Sequence, residues 1–305
     1  MKICSLVPSG TEILYALGLG DEIVGISHEC DHTPDALTKP RILRTIINQD
    51  HLSSEEIDGA VRASIKHQQS LYRVDLDALQ RAQPDLILTQ ELCDVCAVDT
   101  AQVSEVLRVL PYKPRVISLH PHTLSEALEN IRLVAEATGR QAQAEQLLAL
   151  FRERIHRVQE RLAGLSHRPR VFCVEWLEPP MACGHWVPEM VERAGGMEVL
   201  GQAGEPSRYV TPEEIVAAQP DVLVLMPCGF PIERTRKELS ALMDQSWWHH
   251  VPAVGDGRVY LVNGPAYCNR SGPRLIDGIE LLAKLLHPDR CAALLPSSES
   301  LEARL

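Results

Sequence analysis

Short helical patterns that run into unbroken stretches of branched apolar residues set the rhythm of this chain. Leu86-Ile-Leu88 and Val222-Leu-Val-Leu225 are two such stretches. Asp77-Ala-Leu-Gln-Arg-Ala-Gln-Pro-Asp85 precedes the first and Glu213-Glu-Ile-Val-Ala-Ala-Gln-Pro-Asp221 the second. In both, an acid stands near the start of a predicted helix, and Pro disfavours helical geometry in the residue before it while Asp continues the turn. Apolar runs of this length predict strands buried on both faces. The duplication predicts two similar α/β lobes with a ligand cleft where they meet.

The rest of the chain alternates in the same way. Ile3 to Val7, Ile23 to Ile26 and Arg115 to Leu119 read as strands, with a helix opening at Pro8 and stopping at Gly18 and Gly20. Asn48 to Tyr72 reads as a polar insertion. The second half restarts with a strand from Arg170 to Trp176, a helix from His185 to Arg193 and a short strand from Met197 to Leu200. Arg258 to Val262 reads as the last strand, Asp277 to Leu286 as a closing amphipathic helix, and the tail after Pro288 as partly disordered. Between the halves, Leu124, Leu128, Ile131, Val134, Leu147, Leu150, Ile155, Val158 and Leu162 recur at helical spacing, which predicts a rigid connector that Gly139 kinks or divides. The expected organisation is a lobe over 1–121, a connector over 122–166, a lobe over 167–290 and a tail over 291–305.

Composition narrows the function. A chain of 305 residues, 45% hydrophobic, has room for two cores. A net charge of -11 argues against nucleic acid, which needs clustered Lys and Arg. No apolar run approaches the roughly 18 residues of a membrane span, so an integral membrane protein is not expected. The N-terminus enters a strand directly, without a signal-peptide pattern. The expected location is cytoplasmic if Met1 is the native start, and periplasmic or otherwise extracytoplasmic if a leader has been removed. An odd number of irregularly spaced cysteines does not form a disulfide framework, and Cys4 and Cys173, inside strands, read as small buried hydrophobes.

Ligands of open α/β sheets bind at the carboxyl ends of strands. Those ends carry Pro8 and Ser9, His28 and Glu29, Gln90 and Glu91, His120, Trp176, and Met226 to Cys228. Cys93-Asp-Val-Cys96 follows one of them and admits three readings: two thiols packing a turn, metal coordination together with His28, Glu29 or His185, or redox sensing. His28 and His185 begin equivalent elements and read either as loop-capping groups or as ligands to cobalt or haem iron. His120 and His122, beside Pro121, read as capping groups, and His249 and His250, after Trp247 and Trp248, as a surface helix end. Pro8-Ser-Gly-Thr11 reads as an anion site or an ordinary helix entry. The chain has no G-x-S-x-G elbow, P-loop or H-E-x-x-H.

Several segments taken together resemble a known family. These are Ser5-Leu-Val-Pro-Ser-Gly-Thr-Glu-Ile13, Gly25-Ile-Ser-His-Glu-Cys-Asp31, Glu178-Pro-Pro-Met-Ala-Cys-Gly184, Arg270-Ser-Gly-Pro-Arg274 and the two helix-Gln-Pro-Asp-strand units. Over about residues 2 to 287 the chain resembles the substrate-binding proteins of ABC importers whose two lobes are joined by one long helix, and within them the cobalamin-binding family and its leaderless relatives. The resemblance implies a non-enzymatic protein that holds a cobalt-containing corrinoid, or a similar tetrapyrrole, in the interlobe cleft. It implies an ABC permease as partner, docked through Asp77 and Glu213, although helix dipoles alone also favour acids at such positions. The chain departs from the family's aromatic pocket: Glu29, Gln90 and Met181 stand where Tyr, Trp and Phe are usual, while Arg270 and Tyr267 are retained and Trp186 is placed to replace lost surface. Two alternatives stay open. One is a protein binding a metal ion, haem or iron chelate through His28, Glu29, Cys93, Cys96 and His185. The other is a cytosolic enzyme acting through a low-pKa thiol at Cys93 or Cys96.

Overall fold

A computed structural model describes residues 1–47, 49–67, 69–90, 108, 110–294 and 302–304. Glu91, Cys93 and Cys96 lie outside the described residues, and the readings placed on them carry no structural account. The chain forms two compact units. The first comprises Met1–Leu52, Glu56–Pro121 and Ser125–Leu148, and the second Ser53–Glu55, His122–Leu124 and Ala149–Leu305.

The first unit is built on a sheet of β1 (Ile3–Ser5), β2 (Ile23–Ser27), β3 (Arg41–Thr45), β4 (Tyr72–Val74), β5 (Leu86–Gln90) and β6 (Arg115–Leu119). Its order is β4-β3-β2-β1-β5-β6, parallel throughout except for the antiparallel edge strand β4. Its helices are α1 (Pro8–Ala16), α2 (Ser54–Lys66) and α3 (Leu76–Ala82). β5 is buried at every residue, as its apolar run predicts. Cys4, Leu6, Ile42, Leu43, Leu79 and Ile87 form one apolar cluster, each large side chain contributing on the order of 2 kcal/mol by leaving water. The stretch read as a polar insertion contains α2, whose Ile57 and Asp58 are both buried. Exposed Glu55, Glu56, Arg62 and Lys66, set among an exposed Ile65 and a buried Asp58, mask the helical period.

Two helices follow β6, α4 (Leu124–Thr138) and α5 (Gln141–Arg161). Gly139 divides them, at a φ of +70° that suits glycine. Arg132 of α4 donates to Glu129 and, across the break, to Glu145 of α5, each at 2.6 Å.

The second unit contains β7 (Arg170–Trp176), β8 (Met181–Ala182), β9 (Met197–Glu198), β10 (Arg208–Tyr209), β11 (Val222–Leu225), β12 (Val259–Val262) and β13 (Glu302–Arg304). The order is β10-β8-β7-β11-β12-β13, and β9 also pairs with β7. β7, β11, β12 and β9 run parallel, whereas β8, β10 and β13 add antiparallel pairs. The sheets are therefore mixed, and strands of two or three residues are too short to show alternation in a sequence. β13 corrects one expectation, since Arg258 to Val262 is not the last strand, and it places Glu302–Arg304 of the tail in the sheet. The longer helices are α6 (Val187–Arg193), α7 (Pro212–Ala218), α8 (Ile232–Met243) and α9 (Leu275–Leu286). α9 is buried almost throughout instead of on one face only. Its buried Glu280 is met by Arg154 of α5 at 2.6 Å. Trp247 and Trp248 are buried with Phe172, Val174 and Leu223, while His249 and His250 are exposed on a short 3-10 turn.

The duplicated segment performs the same work in both units. α3 is capped by Asp75, which accepts from Ala78 N–H at 2.8 Å. α7 is capped by Thr211 in a reciprocal capping box with Glu214. Both helices end at a left-handed glutamine, Gln83 at φ 46° and Gln219 at φ 43°, so the chain has left helical geometry one residue before the proline. The following aspartate then clamps the first strand of its unit. Asp85 accepts from Lys2 N–H and Asp221 from Arg170 N–H, each at 2.8 Å.

Candidate functional site

In the first unit β1 is the point where the strand order turns, with β2 and β3 on one side and β5 and β6 on the other. A crevice at the carboxyl ends of the strands is expected at such a point. α1 begins there with Pro8 and Ser9, both buried. The N-cap, Val7, offers no side-chain acceptor to the first helical N–H groups. Ser9 Oγ is buried and has no hydrogen-bond partner among the described residues. Gln90 ends β5 next to this point and is buried, and His120 follows β6 and is exposed.

His28 and Glu29 follow β2. The two imidazole nitrogens already have neighbours, with Nε2 3.2 Å from Glu29 Oε1 and Nδ1 3.4 Å from Ser27 Oγ. The ring also packs on Tyr72 at 5.8 Å, and Arg41 donates to the His28 carbonyl. His28 is thus held by its surroundings, and ligation of a metal would require it to give up one of these contacts.

In the second unit the parallel strands β7, β11 and β12 end side by side. β7 ends at the half-buried Trp176, whose ring lies 5.2 Å from Phe230 and whose N–H donates to the Glu178 carbonyl at 3.2 Å. Arg234 stands 4.8 Å from the centre of the Phe230 ring. Cys228, after β11, is the least buried of the described cysteines, none of which forms a disulfide. After β12 a helical turn (Gly264–Tyr267), capped by Asn263, leads to Cys268, Asn269 and Arg270. Tyr267, Arg270 and the β8 residue Met181 are half-buried.

Asn269, which sequence reasoning missed, is the most exacting residue at this edge. Both polar atoms of its amide are buried, and neither has a partner among the described residues. A buried amide left unpaired costs on the order of 1–3 kcal/mol, which a ligand offering a donor and an acceptor would recover. Gly264 leaves room for this amide, because a Cβ there would stand 2.1 Å from Asn269 Oδ1. Glu175 was also missed. It accepts from Ser207 Oγ at 2.8 Å, and burial pushes its carboxyl up to about 7. An acid inside an otherwise apolar strand was the available signal for Glu175; Asn269 gave none.

The remaining predicted residues divide. Trp186 is 4% exposed, and its N–H donates to the Cys268 carbonyl at 2.7 Å. Its apolar ring is more stable in the core than beside solvent. His185 adopts φ 52°, stacks on His122 at 5.9 Å and tilts against Trp186 at 5.6 Å. Among the described residues, neither His28 nor His185 belongs to a group of three converging metal-ligand side chains. Asp77 and Glu213 are exposed, and capping is done by Asp75 and by Thr211 with Glu214. Both acids are therefore left to face solvent.

Comparison with known proteins bears on this arrangement. The family model described as periplasmic binding protein matches residues 3–266. An ABC transporter substrate-binding lipoprotein of Bacillus subtilis is 28% identical over 94% of this chain and 80% of its own length. A vitamin B12-binding protein of Vibrio cholerae is 25% identical over 93% of this chain and 88% of its own. A periplasmic heme-binding protein of Pseudomonas aeruginosa has a solved structure that superimposes with a TM-score of 0.74, at 18% identity, covering 99% of this chain and 97% of that one. This last likeness concerns the fold. No helix among the described residues is long and apolar enough to cross a membrane.

Proposed function

The chain belongs to the periplasmic binding protein family, and from that premise we propose that it captures a corrinoid at the carboxyl ends of its strands and delivers it to an ABC permease. The observation that carries the reading is the unpaired, buried amide of Asn269, seconded by the unpaired hydroxyl of Ser9. A corrinoid is an apolar-edged macrocycle rimmed with amides, and amide pairs with amide through one donor and one acceptor. Glu29 and Gln90 add polar groups at the strand ends of the first unit, and Arg270, Trp176, Met181 and Tyr267 add a cation and apolar surface at those of the second. The vitamin B12-binding protein of V. cholerae supports this choice of ligand class. Asp77 and Glu213 are the docking acids, one per unit. The family supports the extracytoplasmic alternative for its location and offers nothing toward a thiol-dependent enzyme.

The test is titration of the purified chain with cobinamide and cobalamin, read by calorimetry and by the visible bands of the corrinoid. Asn269→Ala should weaken binding about five- to tenfold, the loss of roughly 1 kcal/mol of hydrogen bonding. Its urea midpoint should stay unchanged or rise. Equal affinity in the variant would remove Asn269 from the site. A second reading, an iron tetrapyrrole ligated by His28, rests on the place of His28 at the end of β2. It predicts a haem Soret shift that disappears in His28→Ala.

A further inference from the structure

The flank of β7 is divided between two short strands. β8 pairs with Val174 and Trp176, and β9 with Arg170 and Val171, so the peptide of Cys173 faces the interval between them. Two groups fill it. Cys183, just past β8, donates its N–H to the Cys173 carbonyl at 3.3 Å. Glu198, the last residue of β9, accepts from Cys173 N–H at 3.0 Å with one carboxylate oxygen. Its other oxygen accepts from the N–H groups of Val199, Leu200 and Gly201, each at 3.1 Å. The carboxylate is thereby fixed in orientation beside two buried thiols.

We propose that Cys173, Cys183 and Glu198 form a site for a zinc-class divalent cation. Their three ligand atoms all lie within 4.8 Å of one another. A tetrahedral ion with bonds of about 2.3 Å to sulfur needs ligand atoms roughly 3.8 Å apart, so the group reaches coordination geometry by closing about 1 Å at most. Two thiolates and a carboxylate suit Zn²⁺ better than Cu⁺, which prefers sulfur alone, and better than Mg²⁺ or Ca²⁺, which prefer oxygen. Backbone N–H groups holding the carboxylate are the supporting contacts expected of an oriented ligand. Three side chains leave one coordination position open. The site is separate from the strand-end residues of the corrinoid reading and does not depend on it.

Cys173 and Cys183 are at most 1% exposed, so the ion has to enter during folding. The full chain, without a histidine tag, is refolded from denaturant under a phosphine reductant with one equivalent of Co²⁺, then challenged with Zn²⁺. The expected result is a near-ultraviolet thiolate-to-cobalt band of one ion per chain, displaced by Zn²⁺. The band should persist in Cys93→Ser/Cys96→Ser and vanish in Cys173→Ser and Cys183→Ser. Glu198→Gln should weaken binding about tenfold or more. If folded wild-type protein shows no band, or the band survives in both Cys173→Ser and Cys183→Ser, the assignment is wrong. Loss of the band in Cys93→Ser/Cys96→Ser while the other cysteines are intact overturns it too.

Discussion

The first strands of the two units, β1 and β7, start alike and end differently. In each, the Gln-Pro-Asp turn clamps the beginning of the strand, and the ladders pair Ile3 with Leu86 and Val171 with Val222. That register sets Cys173 against Ser5 and Glu175 against Val7. In the first unit Ser5 Oγ donates to the Val7 carbonyl at 2.9 Å, and β2 runs parallel along the flank of β1. In the second, the flank is divided between β8 and β9, and the equivalent positions hold a thiol and a carboxylic acid. The shared turn maintains the sheet, and the divergent flank holds chemistry. A duplicated scaffold tolerates this because its stability rests on the clamp, the cap and the apolar runs, all of which both copies keep.

Perturbing one copy and then the other tests that division, and the clamp should show the largest effect. Asp221→Ala leaves a part-buried Arg170 N–H without its acceptor, whereas Asp85→Ala affects an exposed Lys2 N–H. We expect a loss of about 2 kcal/mol for Asp221→Ala and about 0.5 kcal/mol for Asp85→Ala, read from urea unfolding. Equal losses would mean that the two clamps do not differ in burial.

Glu175 predicts a pH dependence that Val7 cannot share. Burial raises its carboxyl from 4.5 to about 7 in the folded chain. The folded state therefore retains a proton that the unfolded state has released, and this contribution to stability is complete below 4.5 and lost as pH rises through 7. Glu175→Gln should flatten stability across that window relative to the parent, as followed by urea midpoints at successive pH values. An unchanged pH profile in the variant would show that Glu175 does not titrate there.

The caps come next. Thr211→Ala, which removes the Oγ1 acceptor of the Glu214 N–H while the N–H of residue 211 still donates to Glu214, and Asp75→Ala, which removes the acceptor of the Ala78 N–H, should each cost about 1 kcal/mol. The smallest effect concerns the left-handed glutamines. Gln83→Gly should stabilise by about 0.5 kcal/mol, because glycine accepts positive φ freely. Gln219→Gly should give less, since Gln219 Nε2 donates to the Val216 and His250 carbonyls at 2.8 and 3.3 Å. Thermal unfolding of the two variants side by side would resolve the difference.

What the sequence displays is what local physics controls. The repeated Gln-Pro-Asp turn and the runs at Leu86 and Val222 disclose two α/β units, because buried parallel strands need uninterrupted apolar residues. Gly139, flanked by helical periodicity, marks where α4 gives way to α5. β8, β9 and β10 were not legible beyond one short run, since two-residue strands arise from long-range pairing rather than from propensity. The same reason hides the meeting of Cys173, Cys183 and Glu198, which are dispersed in sequence and brought together only by the divided flank of β7. The burial of Trp186 was not legible, because a tryptophan after a loop looks the same in sequence whether its ring is open or packed in a core. Asn269 carries no sequence signal, because an unpaired amide is a property of its surroundings.

Whether the strand ends of this binding protein take an amide-rimmed corrinoid, as proposed, is decided by equilibrium titration of the wild-type chain with cobinamide. Saturable one-to-one binding at micromolar or lower concentration is expected, weakened in Asn269→Ala. No heat and no band shift at tens of micromolar cobinamide or cobalamin would contradict it.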